Sequence, residues 1–108
     1  MMFPTEIFGQ VVVVHSAEEL GKDQVEHFEE FLHSLDRPQV VLDLDPTESF
    51  DNAGLTCLLD AQDYLRESGG DLKVCTKNHI NRKILEMTRL DQQIDVYQNV
   101  IDAVKSFA

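Results

Sequence analysis

Asp51-Asn52-Ala53-Gly54-Leu55 is the stretch whose residue types and order best suit chemistry or recognition. It follows the apolar run Val40-Val41-Leu42-Asp43-Leu44 and the polar turn Asp45-Pro46-Thr47-Glu48-Ser49, then Phe50, and it opens an amphipathic helix. The first backbone N–H groups of a helix have no intrahelical partner, and the positive end of the dipole points the same way. Such a place can hold a carboxylate or phosphate, or dock a partner. Two roles are open for this segment. In one it is a loop read by a partner. In the other it only starts a helix: Asn52 caps, Gly54 permits close helix–sheet packing, and Leu55 enters the core. The two are compatible, because a cap is also an exposed landmark.

Hydroxyls that could carry a phosphate near this loop are Thr47, Ser49 and Thr56. Strand alternation puts Ser49 and Phe50 on opposite faces, which exposes Ser49. Thr56 lies one turn into the helix and can bond local backbone instead. For all three an ordinary turn or helix hydroxyl is the plainer role. Asp43, Asp45 and Asp51 could gather oxygens around magnesium at strand ends, as in receiver-type phosphotransfer domains. Lys73, in the middle of its strand, and Lys77, beyond its end, do not stand where a receiver's lysine does. His15, His27, His33 and His79 are dispersed. His27 and His33 do not share a helix face, and His33 with Glu29 or Glu30 lacks a third metal ligand. The chain has no Gly-x-Ser-x-Gly elbow, no Lys-bearing phosphate loop and no Cys-His neighbourhood. The reading is therefore a non-enzyme, with no catalytic residue, metal or cofactor.

The elements that must position this loop follow from periodicity. Val11-Val12-Val13-Val14 is β-branched and predicts a strand. Gly9-Gln10 splits it from a first edge strand over Phe3–Phe8. Ser16 to Lys22 is polar and reads as a loop. From Asp23, a plausible N-cap, Val25, Phe28, Phe31, Leu32 and Leu35 fall at helical spacing, and Pro38 ends that helix. Gln39 to Asp43 is the central strand. The next helix runs from about Asn52 to Ser68, with Leu55, Leu58, Leu59 and Leu65 on one face. Gly69-Gly70 supplies a left-handed stop. Asp71 to Cys75 is a strand with Leu72 and Val74 on one side. Asn78 caps a third helix to about Thr88, with Ile80, Ile84 and Met87 inward. Ile94 to Tyr97 is a last strand, and Asn99 caps a terminal helix bearing Val100, Val104 and Phe107. The alternation predicts an α/β fold: a mixed, mostly parallel sheet of four or five strands, with about four helices packed mainly on one face.

Composition bounds the function. One domain suits 108 residues, and 43% apolar content can build one core. Twenty acidic residues against nine basic give a net charge of −11, which opposes nucleic acid and anionic membranes. No apolar run approaches the roughly 20 residues of a spanning helix. Met1-Met2-Phe3-Pro4 has no basic n-region, so the expected location is cytoplasmic. Cys57 and Cys75 sit in apolar contexts and read as reduced packing residues.

The ordered set of motifs resembles the STAS domain, the fold of bacterial anti-sigma factor antagonists. Val40–Leu44 leading to Phe50-Asp51-Asn52-Ala53-Gly54-Leu55 is similar to the family's hydrophobic residue, Asp, two small residues, Gly and Leu. Gly69-Gly70-Asp71-Leu72-Lys73-Val74 matches its helix stop and strand. Ile84-Leu85-Glu86-Met87-Thr88-Arg89-Leu90 is like its late helix ending in Thr-Gly-Leu, with Arg89 in the glycine's place. Ser16-Ala17-Glu18-Glu19-Leu20 replaces the common Gly-Glu-Leu-Asp turn. The resemblance implies a binding module that docks an ATP-binding anti-sigma factor of the serine kinase type through Asp51, Asn52, Ala53, Gly54 and Leu55. Partner-switched members carry a Ser or Thr phosphoacceptor within the pair after the Asp. Here that pair is Asn52-Ala53, so the resemblance implies an unconventional member, with Ser49 and Thr56 as the remaining candidate acceptors. A subunit role beside a transporter ATPase or in a larger signalling assembly is the second reading. The receiver-like phosphotransfer domain is the third.

Overall fold

The structure, a computed structural model, describes residues 3–108. The valine run forms the second arm of a hairpin: β1 (Thr5–Phe8) pairs antiparallel with β2 (Val11–His15) across a turn in which Gly9 has φ +61°. That left-handed backbone is open to glycine without a Cβ penalty. Three parallel strands follow, β4 (Gln39–Asp43), β6 (Asp71–Cys75) and β7 (Val96–Tyr97). They add in chain order, so the five-stranded sheet reads β1-β2-β4-β6-β7. Each crossover carries a helix: α1 (Val25–Ser34), α2 (Asn52–Glu67) and α3 (His79–Met87). Right-handed crossovers that always step toward the same edge leave their helices on the same face. That face buries Val12, Val14, Val40, Leu42, Leu72 and Val74 under Phe28, Leu58, Leu65 and Leu85. The alternate residues Val11, Val13, Val41 and Cys75 face the other side, under the C-terminal helix α4 (Val100–Lys105) and its Ala103.

This is the mixed, mostly parallel sheet with four helices, three of them on one face, that the alternation predicts. The caps at Asn78 and Asn99 form as expected: Asn78 accepts from the Ile80 and Asn81 amides, and Asn99 from that of Asp102. Gly69 ends α2 at φ +89°.

Three local readings change. Asp23 does not cap α1. The cap position is Gln24, whose side chain accepts from the Gly21 amide while its own amide donates to the Gly21 carbonyl, so a tight turn takes the place of an acidic cap. The segments read as loop and turn hold a second, two-stranded parallel sheet, β3 (Glu19–Leu20) with β5 (Ser49–Phe50). Only tertiary pairing creates strands this short. Finally, α3 is rolled relative to its apolar stripe. Asn81 and Leu85 face inward, whereas Ile80 and Met87 stand 70% and 74% exposed and Ile84 is half-buried. The cause is polar: the buried Asn81 amide donates to the Leu44 and Thr47 carbonyls, at 3.0 and 2.8 Å. The Leu44 carbonyl also accepts from the Thr47 amide, so the roll chiefly satisfies the buried Asn81 side chain and the Thr47 carbonyl, and two buried polar groups left unpaired would cost more than the burial forgone on the outer face.

After α3, Arg89 adopts φ +62° before the single-turn helix at Leu90–Gln92. An L-residue there carries roughly 1–2 kcal/mol of strain. Arg89→Gly is expected to stabilise the fold by about 0.5–1 kcal/mol, the relief being partly offset by unfolded-chain entropy. Urea unfolding reads this as a higher midpoint at unchanged slope.

Candidate partner-docking site

The Asp51–Leu55 loop lies where β5 turns into α2. Asp51 has extended backbone and is the N-cap, in place of Asn52. Its Oδ1 accepts from the Gly54 amide and its Oδ2 from the Lys22 amide, both at 2.9 Å. The Lys22 amide, and then that of Gly54, hold the Asp51 carboxyl below its ordinary range. One carboxylate thus fastens the start of α2 to the turn after β3. Gly54 is buried, and a Cβ there would run into the Leu20 carbonyl. The glycine is what lets α2 approach β3 so closely.

The upstream arm is pinned as firmly. The Glu48 and Ser49 amides donate to the Glu18 carbonyl, and the buried Thr47 hydroxyl donates to the Ala17 carbonyl at 2.7 Å. Thr47 is thereby removed as an acceptor of phosphate. Ser49 and Thr56 are exposed, as are Asp51 and Asn52, while Ala53 and Leu55 are half-buried. The outward face of the loop is therefore Ser49, Asp51, Asn52, the edge of Ala53 and Thr56. Beside it lies a hollow of about 320 Å³ bordered by Glu19, Lys22, Asp23, Ser49 and Asp51. Three carboxylates against one ammonium disfavour a free phosphate there.

The remaining candidates are engaged elsewhere. The three strand-end carboxylates do not converge. Asp43 accepts from His15 and from the Asp45 amide, and Asp45 accepts from the Thr76 hydroxyl and the Lys77 amide. Asp51 serves as the cap. Among the described residues no three His, Cys, Asp or Glu side chains are grouped to hold a metal ion. Lys73 points under α4, where it donates to Ser106 and lies 4.3 Å from the centre of the Phe107 ring. The sheet also lacks the reversal in strand order at which doubly wound folds bind ligands. His33 stacks on Tyr64, 4.1 Å between ring centres. Cys57 and Cys75 are free and buried, and burial pushes each thiol up to about 12. Protonated at neutral pH, they are poor nucleophiles.

Sequence reasoning missed two features that shape the site. Asn81 ties α3 to the Leu44–Thr47 turn through carbonyls more than thirty residues away. His15 is clamped between Asp43, at 2.8 Å from Nδ1, and Glu6, at 2.7 Å from Nε2. Neither leaves a local signal, because the first needs α3 packed on a distant turn and the second needs the register that pairs His15 with Asp43.

Comparison with known proteins places this geometry. A family model described as the STAS domain matches residues 3–103. A Thermotoga maritima protein described as a "putative anti-sigma factor antagonist" is 26% identical over 109 residues, which span 96% of each chain. A crystal structure of the same description and organism superposes with a TM-score of 0.86 at 23% identity, over 97% of this chain and 93% of that one. An anti-sigma factor antagonist from Mycobacterium paratuberculosis gives 0.85 at 22% identity, over 98% and 92%. A sulfate transporter family protein from Wolinella succinogenes gives 0.80 at 11% identity, over 94% and 87%. These superpositions establish the shared fold.

Two tests follow from the geometry. Gly54→Ala is expected to destabilise the domain by about 1–3 kcal/mol, because α2 must retreat from the Leu20 carbonyl. Calorimetry would register a fall of roughly 4–8 °C for each kcal/mol; an unchanged melting point would contradict the close approach. For His15, burial lowers the pKa, but the hydrogen bonds the ring donates to the Glu6 and Asp43 carboxylates, with their charge, outweigh it and the net shift is upward from 6.5. A raised folded-state pKa gives stability that is complete below the unfolded value and fades as pH rises through the folded one. As pH rises from the unfolded value of about 6.5 through the raised folded one, urea unfolding should show the wild type losing stability and His15→Gln losing less.

Proposed function

The chain belongs to the STAS domain family, and from that premise we propose that it is a non-catalytic interaction module that works as an anti-sigma factor antagonist. In this reading it docks an ATP-binding regulator of the serine kinase type in a bacterial signalling pathway. The contact is made by the Asp51–Leu55 loop and the first turns of α2. The observation that carries the reading is the state of that loop: outward-facing at Asp51 and Asn52, and fixed by the Asp51 carboxylate before any partner arrives. A preordered loop loses little entropy on docking, which favours affinity. The antagonist description of a relative aligned over 96% of both chains points the same way.

The phosphorylation switch is absent from the family position, since Asn52 and Ala53 have no hydroxyl. We take the docking to be constitutive, or controlled by other means. A second reading, a subunit beside a transporter ATPase or in a larger signalling assembly, draws on the likeness to the Wolinella sulfate transporter family protein. No described helix is long and apolar enough to cross a membrane. A cytoplasmic location fits either reading.

Substitution at Ala53 tests the site. Ala53→Asp adds a carboxylate at a helix start, where the dipole favours it by roughly 0.3–1 kcal/mol. Stability should hold. Buried unpaired against a partner, the same charge should lower affinity tenfold or more, about 1.4 kcal/mol per tenfold. Affinity purification followed by mass spectrometry supplies the partner for titration calorimetry. Recovery of a kinase-type regulator whose binding survives Ala53→Asp would defeat the docking site; recovery of a transporter ATPase would favour the second reading. Incubation with the regulator and ATP should leave Ser49 and Thr56 without stoichiometric phosphate, and intact-mass analysis reads that directly.

A further inference from the structure

The roll of α3 that satisfies Asn81 and Thr47 leaves an apolar stripe with nothing to cover it. Ile80, Ile84 and Met87 are spaced four and three apart, so they form one seam along the helix. Ile80 and Met87 are the most exposed large hydrophobic side chains described, at 70% and 74%. Together with His79 and Lys83 they line a shallow groove of about 450 Å³. The charge carried by the chain segment that holds this seam is opposite to that of the protein as a whole. Residues 77–89 carry four of the nine basic side chains, Lys77, Arg82, Lys83 and Arg89, and one of the twenty acids, Glu86. Glu86 pairs with Arg82 at 3.6 Å. The side chains of Lys77, Lys83 and Arg89 form no ion pair among the described residues, although the Lys77 amide donates to the Asp45 carboxylate.

We propose that this face of α3 is a second docking surface and that its occupant is an acidic amphipathic helix of a partner protein. Apolar anchors at helical spacing would lie over Ile80, Ile84 and Met87, and flanking carboxylates would meet Lys83 and its basic neighbours. This is the geometry of helix-in-groove recognition. Charge decides against the other occupants. A symmetric contact between two copies would set one basic strip against another. An anionic bilayer is flat, so it would also meet the acidic surface that makes up the rest of the molecule. A helix is about 10–12 Å across and can lie within the basic strip alone, and screening over roughly 8 Å hides the acidic surface beyond it. The proposal stands apart from the Asp51 loop, because it uses none of that loop's residues.

The test uses the intact chain and three probes: a Leu/Glu amphipathic helical peptide, its Leu/Lys counterpart, and phosphatidylglycerol vesicles. Methyl NMR titration should show the acidic peptide shifting Ile80, Ile84 and Met87, with affinity falling as salt rises. Ile80→Asp with Met87→Gln, and separately Lys83→Glu, should weaken it tenfold or more, about 1.4 kcal/mol. These exposed positions should leave the melting point nearly unchanged, and Ala53→Asp should leave peptide affinity unchanged. Four results would each overturn the proposal: equal binding of the lysine peptide, shifts confined to other methyls, vesicle binding that matches the peptide, or self-association abolished by the α3 variants.

Discussion

The Asp51 carboxylate is the interaction on which the candidate site depends. It accepts from the amide of Gly54, inside α2, and from that of Lys22, in the turn after β3. Charge-assisted bonds to backbone N–H are among the stronger polar contacts a surface residue can make, and removing an N-cap costs about 0.5–2 kcal/mol. Here the same group spans 29 residues of sequence. It closes the two-stranded sheet against the helix, and Gly54 makes that closure sterically possible. Together, cap and glycine convert a polar connection into a rigid landmark.

Rigidity on the other side of the loop comes from α3. Asn81 donates to both Leu44 and Thr47, so the helix is keyed to the turn that leads into β5. The apolar seam on α3 is a consequence of that keying. Two surfaces of different character result: an acidic, preordered loop and a basic-rimmed apolar helix. The segment from Leu44 to Leu55 joins them: its first turn is held by Asn81 of α3, and its end is the loop itself.

Much of this was legible in the sequence. The valine run, the Gln39–Asp43 and Asp71–Cys75 strands, the Gly69 stop and the Asn78 and Asn99 caps are local signals, and the structure follows them. The short β3 and β5 strands were not legible, because two-residue strands have no periodicity of their own. The α3 face was misread for a related reason: its hydrophobic period points outward, and the deciding contact is a buried amide meeting distant carbonyls. The cap at Asp51 rather than Asn52 depends on the Lys22 amide, which only the folded chain brings near. Local chemistry located the start of α2, but the fastenings of the loop before it are long-range.

Asp51 holds the candidate loop in place through the Lys22 and Gly54 amides. Amide hydrogen exchange in the wild type and Asp51→Ala measures this directly. Protection at Lys22, Gly54 and the β3–β5 pair should fall together by tenfold or more, about 1.4 kcal/mol of local opening. Amides of β4 and β6 should keep their protection. Unchanged exchange at Lys22 and Gly54, or a uniform loss across the whole sheet, would contradict the account.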